Sequence, residues 1–289
     1  MKQPPKPNLL IAGHGYLGQE VARQAVAEGM PVTTLTRSGT GADHACDLTD
    51  LTAVQELAGR INPTHLLASA SSGRGGTDAY RAIFRDGTRH LLDAFPDAKL
   101  TFISSTSVYR QTDGSTVTEE SDTAGQTEKS EILREAEDMT LEAGGTVLRL
   151  SGIYGTSRSY ILSALLGQSY RLEVTQSPAG TQEIGKRIIN QIHVSDAAKA
   201  VLHLLTHDLA GLFNVSDDCP ISQYELVTAL CDKLALPLPQ TAPPNPQSKR
   251  GWTNKAVSNA RLKMTGWSPA YPHFLASVEE ILPTISPKS

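Results

Sequence analysis

Cysteine is scarce in this chain and scattered. Cys46, Cys219 and Cys231 are odd in number, far apart and in no CxxC pair. That argues against a disulfide framework and a thiolate zinc site, and for a reducing compartment. Long hydrophobic runs are missing as well. Nothing approaches the roughly 18 apolar residues of a membrane span. The opening MKQPPKPNLLIAG is broken by Gly13 and His14 before it reaches the apolar length of a signal peptide. The expectation is a cytoplasmic protein that uses no membrane. Neither sign of charge dominates: 26 Lys and Arg stand against 30 Asp and Glu, for a net charge of -4. Such a balance leaves no electrostatic footprint for nucleic acid. The eight histidines show no metal-ligand spacing and HExxH is absent, so no metal site is expected.

What is present is an ordinary globular composition, 39% hydrophobic and 19% charged. A chain of 289 residues suffices for one large domain, or for one with a small cap. Over the first 150 residues, strand-length apolar runs alternate with amphipathic stretches. Strands are predicted at Asn8–Ala12, Pro31–Thr36, His65–Ala70, Lys99–Ser104 and Thr146–Leu150. Helices are predicted at Gly15–Gly29, Leu51–Arg60, Thr77–Phe95 and Glu128–Ala143. This alternation implies βαβ units: an α/β fold with a doubly wound parallel sheet, the Rossmann arrangement.

Beyond residue 151 the pattern loosens. Ser151 to Ile192 reads as loops with one short helix. A helix over Val194–Thr206 takes Ser195 as its cap. Ser222 and Glu225 form a capping-box pattern at the start of a helix to Leu234. Five prolines between Pro237 and Pro246 mark an extended loop, and a last helix covers Pro272–Leu282. The organisation expected is a Rossmann core over 1–150 and a small mixed lobe over 151–289. The lobe interleaves with the end of the core in one compact domain.

Gly13-His14-Gly15-Tyr16-Leu17-Gly18 is a GxGxxG that leaves a predicted strand and opens a predicted helix. The first glycine permits the tight turn, the second lets backbone approach a pyrophosphate, and the third lets helix and strand pack closely. The helix N-terminus, with Tyr16 and Leu17, offers amide groups and a positive dipole end to phosphates. About 20 residues on, an NAD site usually carries a carboxylate for the ribose hydroxyls. The second strand instead ends in Thr36-Arg37-Ser38. A guanidinium beside hydroxyls attracts a 2′-phosphate, so NADP is favoured over NAD. Asp47 either bonds the adenine amino group or caps the helix at Leu51.

Further segments give the sequence a family likeness. Gly87-Thr88-Arg89-His90-Leu91-Leu92-Asp93-Ala94 is similar to GTxNLLDA, and Ser104-Ser105-Thr106-Ser107-Val108-Tyr109 to SSxxVYG. Arg149 to Gly155 is similar to RxxxxYGP, and Ile192 to Ala198 to IHVDDVA. Phe213-Asn214-Val215-Ser216 is similar to the YNV strand. Val257 to Leu262, followed by Gly266-Trp267, is similar to the late N-x-(K/R)-L…LG(W/F) segment. In this order, they make the chain resemble the extended, epimerase/dehydratase-like branch of the short-chain dehydrogenase/reductase superfamily along nearly its whole length.

The resemblance implies a nicotinamide near the strand end at Ala68 and Ser69, and a loop at Gly73-Arg74-Gly75-Gly76 beside it. It implies a substrate-orienting hydroxyl at Ser105, with Thr106 and Ser107 alongside. It also implies a Tyr-x-x-x-Lys acid/base pair, and here the chain departs from the family. No tyrosine lies between Tyr109 and Tyr154, and the one lysine in that interval is Lys129. Aligning Leu133-Arg134-Glu135-Ala136-Glu137 with the usual K-L-x-A-E puts Lys129 at the tyrosine position and Leu133 at the lysine position. The chain is thus nearest the atypical members. Candidate acid/base groups are Ser105, a desolvated Lys129, and the phenols of Tyr109 and Tyr154. His193 and Asp196 read as organisers of the substrate-side loops. Arg158, Lys186 and Arg187 either bind an anionic substrate or are solvated.

The function expected is an NADP-dependent epimerase, dehydratase or reductase acting on a small polar substrate, a nucleotide-sugar being one example. The alternatives are a non-catalytic NADP(H)-binding sensor and a non-redox catalyst on the same fold. Relatives of this kind suggest a homodimer through Thr77–Phe95 and Glu128–Ala143.

Overall fold

The computed structural model describes residues 7–73, 75–123, 127–177, 180–245 and 252–288. They divide into two compact units. The first comprises Met1–Val108, Gly125–Leu150 and Ala197–Phe213; the second comprises Tyr109–Ala124, Ser151–Asp196 and Asn214–Ser289.

The first unit holds a seven-stranded sheet. Its early strands are β1 (Leu9–Ala12), β2 (Val32–Thr36), β3 (His44–Ala45), β4 (His65–Ala68) and β5 (Lys99–Ser105). The order across the sheet is Gly211–Val215, Thr146–Leu150, β5, β4, β1, β2, β3. Pairing is parallel from Thr146–Leu150 through to β3. All four residues of β1, Leu-Leu-Ile-Ala, have no exposed surface. A parallel strand covered on both faces needs such an unbroken apolar run rather than an alternating one. Each fully buried leucine or isoleucine is worth about 1.5–3 kcal/mol of transfer from water.

The chain order reverses at β1. From β1 the chain moves outward to β2 and β3, then returns to lay β4 on the other side of β1. That switch point, at the carboxyl ends of the strands, is where open α/β sheets bind their ligands. The doubly wound Rossmann fold expected from the alternation of elements is the fold observed.

The helix expected over Thr77–Phe95 forms, but in three pieces: Thr77–Arg81, a π-helical turn Ala82–Asp86, and Gly87–Ala94. A side chain at Gly87 would put its Cβ 3.2 Å from the Leu48 Cβ, so this glycine lets the helix pack closely.

The second unit departs from expectation between Ser151 and Ile192. Besides the helix Tyr160–Leu166, that stretch forms five short strands rather than loops. Gly152–Tyr154 pairs in parallel with Gln191–His193; Leu172–Gln176 pairs antiparallel with Gln182–Ile184 and in parallel with Thr241–Ala242. Strands of two to five residues leave no readable period in sequence, and all but the pairing of Leu172–Gln176 with Gln182–Ile184 join segments far apart along the chain. The helix after them starts at Val194, so Ser195 lies inside it rather than capping it. The Ser195 amide donates instead to His193 Nδ1, at 3.3 Å. The final helix shrinks to Val278–Ile281, flanked by 3-10 turns at Phe274–Ser277 and Leu282–Thr284. Pro283 sits in the second of these turns, and its ring disfavours a continuing α-helix.

Candidate functional site

The glycine turn is built by close approach. Gly13 has φ +111°, and a Cβ there would lie 2.3 Å from the Ala70 amide nitrogen. A Cβ on Gly18 would lie 2.2 Å from the Gly13 carbonyl oxygen. Neither position admits a side chain. Gly15 is the opposite case: it is exposed, and a Cβ would meet nothing within 4 Å. The helix α1 (Tyr16–Ala27) begins there, and no side chain caps it. The positive end of its dipole is therefore left at the open space beside Gly15.

Hydrogen bonds from neighbouring strands hold the turn. Ser69 Oγ donates to the Gly13 carbonyl at 2.8 Å. The Gly13 and His14 amides both donate to the Leu35 carbonyl, at 3.1 and 3.3 Å. His14 Nδ1 lies 2.7 Å from the Gly41 carbonyl oxygen, a pairing that puts the ring proton on Nδ1. His14 was not foreseen as a contributor. Its only signal in sequence is its place between the first two glycines, where any residue fits the motif. Here it fastens the loop after β2 to the turn.

That loop carries the Arg37 guanidinium and Ser38. Arg37 is exposed and makes no hydrogen bond or ion pair with any described residue. Ser38 Oγ donates to Thr40 Oγ1 at 3.0 Å. Asp43 braces the loop from behind. Its carboxylate accepts the Thr34 amide and hydroxyl, each at 2.8 Å, and these bonds hold it below the usual carboxylate range. Asp47 accepts from the amide and hydroxyl of Thr49, at 3.0 and 2.8 Å. It does not cap the helix α2 (Leu51–Ala58); Asp50 does, accepting from Thr52 and Ala53. The side chain three residues nearer the helix reaches its amides first, so the capping alternative for Asp47 is corrected.

The residues present fit a nicotinamide dinucleotide. Gly15 and the bare helix end give an anion cradle, and Arg37 with Ser38 offers cationic and hydroxyl groups where a carboxylate would repel.

Ala68 ends β4, and Ser69 follows it. Ser105 ends β5, half-buried, and its Oγ accepts the Ser107 amide at 3.2 Å. As the acceptor of that bond, Ser105 keeps its own hydroxyl proton for another partner. Thr106 turns inward and donates to the Leu150 carbonyl at 3.4 Å. Lys129 lies in the first turn of the helix Glu128–Glu142, with Nζ 5.6 Å from the centroid of the Tyr80 ring. Leu133, one turn later, is only 2% exposed. The position that the resemblance aligns with a lysine is therefore packed into apolar core. Gly73 and Gly76 face open space, whereas a Cβ on Gly75 would lie 2.4 Å from the Ala79 Cβ; Arg74 lies outside the described residues.

The two remaining tyrosines belong to the second unit and are interior. Tyr109 has no exposed surface, and its hydroxyl donates to Asn214 Oδ1 at 2.7 Å. Tyr154 is 1% exposed. It accepts from Ser277 Oγ at 3.3 Å, with its ring against His193 and Phe274. Burial pushes the Tyr154 phenol far above its ordinary range. The expectation that either phenol serves a substrate is corrected on this ground: both are core side chains whose polar ends are satisfied inside the unit. Asp196, fully buried, accepts the amides of Ala270 and Tyr271 at 2.9 and 2.8 Å, as befits an organiser of loops. Arg158 and Lys186 are exposed, whereas Arg187 is half-buried and paired with Glu173 at 2.9 Å.

Among the described residues no group of three His, Cys, Asp or Glu side chains is arranged to hold a metal. No described helix is long and apolar enough to cross a membrane.

The model of the NAD dependent epimerase/dehydratase family matches residues 9–216. No protein of curated function matches the chain. Solved structures do. A protein of the NAD-dependent epimerase/dehydratase kind from Methylobacillus flagellatus is 26% identical, with TM-score 0.77; 96% of this chain and 98% of that one are covered. UDP-glucose 4-epimerase of Thermus thermophilus, in complex with NAD, is 19% identical over the same shares of the two chains, with TM-score 0.77. A short-chain dehydrogenase/reductase superfamily protein from Agrobacterium tumefaciens with bound NAD is 19% identical, with TM-score 0.74 and 96% of each chain covered.

Proposed function

The chain belongs to the NAD-dependent epimerase/dehydratase family, and from that premise we propose that it is an NADP-using enzyme of the epimerase, dehydratase or reductase kind. It acts on a small polar substrate with a non-standard acid/base site. The observation that carries this reading is the contrast within one turn: Gly13 and Gly18 are closed by backbone, while Gly15 opens to free space at an uncapped helix end. A bound nicotinamide dinucleotide supplies hydride transfer; the chain's own residues do the rest.

Gly13, Gly15, Tyr16, Leu17 and Gly18 hold the pyrophosphate. Arg37 and Ser38 bind the 2′-phosphate, Asp47 lies on the adenine side, and Ala68 and Ser69 on the nicotinamide side. Ser105 orients the substrate oxygen with its free hydroxyl proton, and Lys129 exchanges the proton in place of a phenol. A second reading, a non-catalytic NADP(H) sensor, is favoured by Leu133, because a buried leucine removes the lysine that relatives use beside the phenol.

The test is a titration with NADPH and NADH by nicotinamide fluorescence, beside Arg37→Ala. Loss of a charge-assisted phosphate contact should weaken NADPH by about ten- to a hundredfold and leave NADH within about threefold. Failure of both nucleotides to bind at millimolar concentration would overturn the proposal. Tight NADPH binding without turnover across a broad panel of substrates would select the sensor.

A further inference from the structure

We infer that the second unit carries a binding site for one small hydroxycarboxylate, held by Lys255 and Arg187 and read by Gln111. This rests on the proposed function in taking the bound acid as the substrate, whose class it names. The binding itself involves the second unit alone.

The inference begins with an imbalance of charge. Lys255 is 5% exposed, the one buried lysine among the described residues. Its Nζ donates to two neutral oxygens, the Tyr109 carbonyl at 3.1 Å and Thr253 Oγ1 at 2.9 Å. No carboxylate pairs with it among the described residues. Burial, and then the like charge of Arg187, push its ammonium down to about 8, so it still carries charge at neutral pH. Burying a cation without a counter-charge is costly, and native interiors pair such groups.

Arg187 adds a second positive charge. Its Nη1 bonds Glu173 Oε1 at 2.9 Å, and the other Glu173 oxygen accepts Trp252 Nε1 at 2.9 Å. Arg187 Nε is buried with no acceptor among the described residues. Gln111 Oε1 is buried with no donor among them. The segments bearing these groups are stitched together. The Asn254 amide donates to the Gln111 carbonyl at 2.8 Å, the Ile188 amide to Asn254 Oδ1 at 2.8 Å, and Asn190 Nδ2 to the Lys255 carbonyl at 2.8 Å.

The set therefore offers donors that lack an anionic acceptor and one acceptor that lacks a donor. Two cations against the single Glu173 carboxylate leave one positive charge over. One carboxylate neutralises it and accepts from Lys255 and Arg187. A hydroxyl on the same ligand donates to Gln111 Oε1. A nucleoside diphosphate brings more negative charge than this cluster balances.

Trp252 is a built-in reporter, since its indole shares Glu173 with Arg187. The experiment titrates the full chain with glycolate, lactate and glycerate, and in parallel with inorganic phosphate and UDP, following tryptophan emission and heat of binding. At least one hydroxycarboxylate should give a saturable response at least tenfold tighter than phosphate or UDP. The response should weaken at least tenfold in both Lys255→Met and Arg187→Gln. Lys255→Met removes a buried charge at similar volume, and its thermal melt checks folding. If it does not fold, Arg187→Gln carries the comparison. The inference is overturned if no hydroxycarboxylate binds, if folded variants bind as the parent does, or if phosphate or UDP binds instead. NADPH titration separates the two readings. Hydroxycarboxylate binding without NADPH binding leaves this site standing and removes the proposed function; the reverse removes only this site.

Discussion

The Arg149 guanidinium closes on the Glu137 carboxylate in a two-pronged pair. Nε reaches Oε1 at 3.0 Å and Nη2 reaches Oε2 at 2.6 Å, and the two residues are 3% and 1% exposed. Ser104 Oγ donates to the same carboxylate at 2.5 Å. This pair ties the helix carrying Lys129 to the strands that end at Ser105 and Leu150. It also contrasts with Lys255, a buried cation that has no such carboxylate among the described residues.

Removing one partner leaves the other charged and buried. Glu137→Ala should cost about 3–5 kcal/mol in urea unfolding, because Arg149 loses its counter-charge. The double change Glu137→Leu with Arg149→Met should recover most of that loss, since an apolar pair avoids the desolvation penalty. A cost for Glu137→Ala below about 1 kcal/mol would mean that the pair is not held as described.

The two glycines of the turn should separate folding from binding. Gly13→Ala forces a Cβ against Ala70 backbone at positive φ, so its melting temperature should fall sharply. Gly15→Ala meets nothing in the protein and should melt within about 0.5 kcal/mol of the parent. Its methyl group occupies the space assigned to the pyrophosphate, so NADPH should bind at least about tenfold more weakly. Equal NADPH affinity in Gly15→Ala and the parent would sink the cradle assignment.

Asp217 should give stability a pH dependence of unusual sign. Burial raises its carboxyl from 3.8 to about 8, aided by the charges of Asp218 and Asp196 and opposed by the Cys219 amide. Between pH 4 and 8 the unfolded chain releases this proton while the folded chain keeps it. Stability from this group is therefore full below about pH 4 and falls as pH rises, by up to about 1.4 kcal/mol per unit. Asp217→Asn keeps an acceptor for the Cys219 amide and has no proton to lose. Its stability relative to the parent should rise from pH 5 to pH 8 in chemical denaturation. Parallel curves would refute the assignment.

How far the sequence reaches differs from element to element. The strand Asn8–Ala12, the glycines after it and the alternation to Leu150 are local signals: an apolar run, a three-glycine spacing and a helical period each fit within a short window. The capping box at Ser222 and Glu225 is equally local, and both of its hydrogen bonds form. The missing Tyr-x-x-x-Lys is legible too, since an absent residue needs no structure to be seen.

The order of the sheet and the fates of single side chains are different matters. Tyr109 and Tyr154 carry family motifs, yet each phenol points into packed core, which depends on partners as distant as Asn214 and Ser277. The short strands between Ser151 and Ile192 have no period of their own, and most of their pairings reach far along the chain. Glu137 finds Arg149, and Lys255 finds only neutral oxygens among the described residues, because neighbouring segments bring different groups to them. The sequence by itself determined the glycine turn, the order of elements and the loss of the usual acid/base pair. Only the tertiary structure decided which polar groups are paired and which are buried without a partner. Burial and pairing are properties of what surrounds a side chain in space, and a residue's chain neighbours supply little of that surrounding.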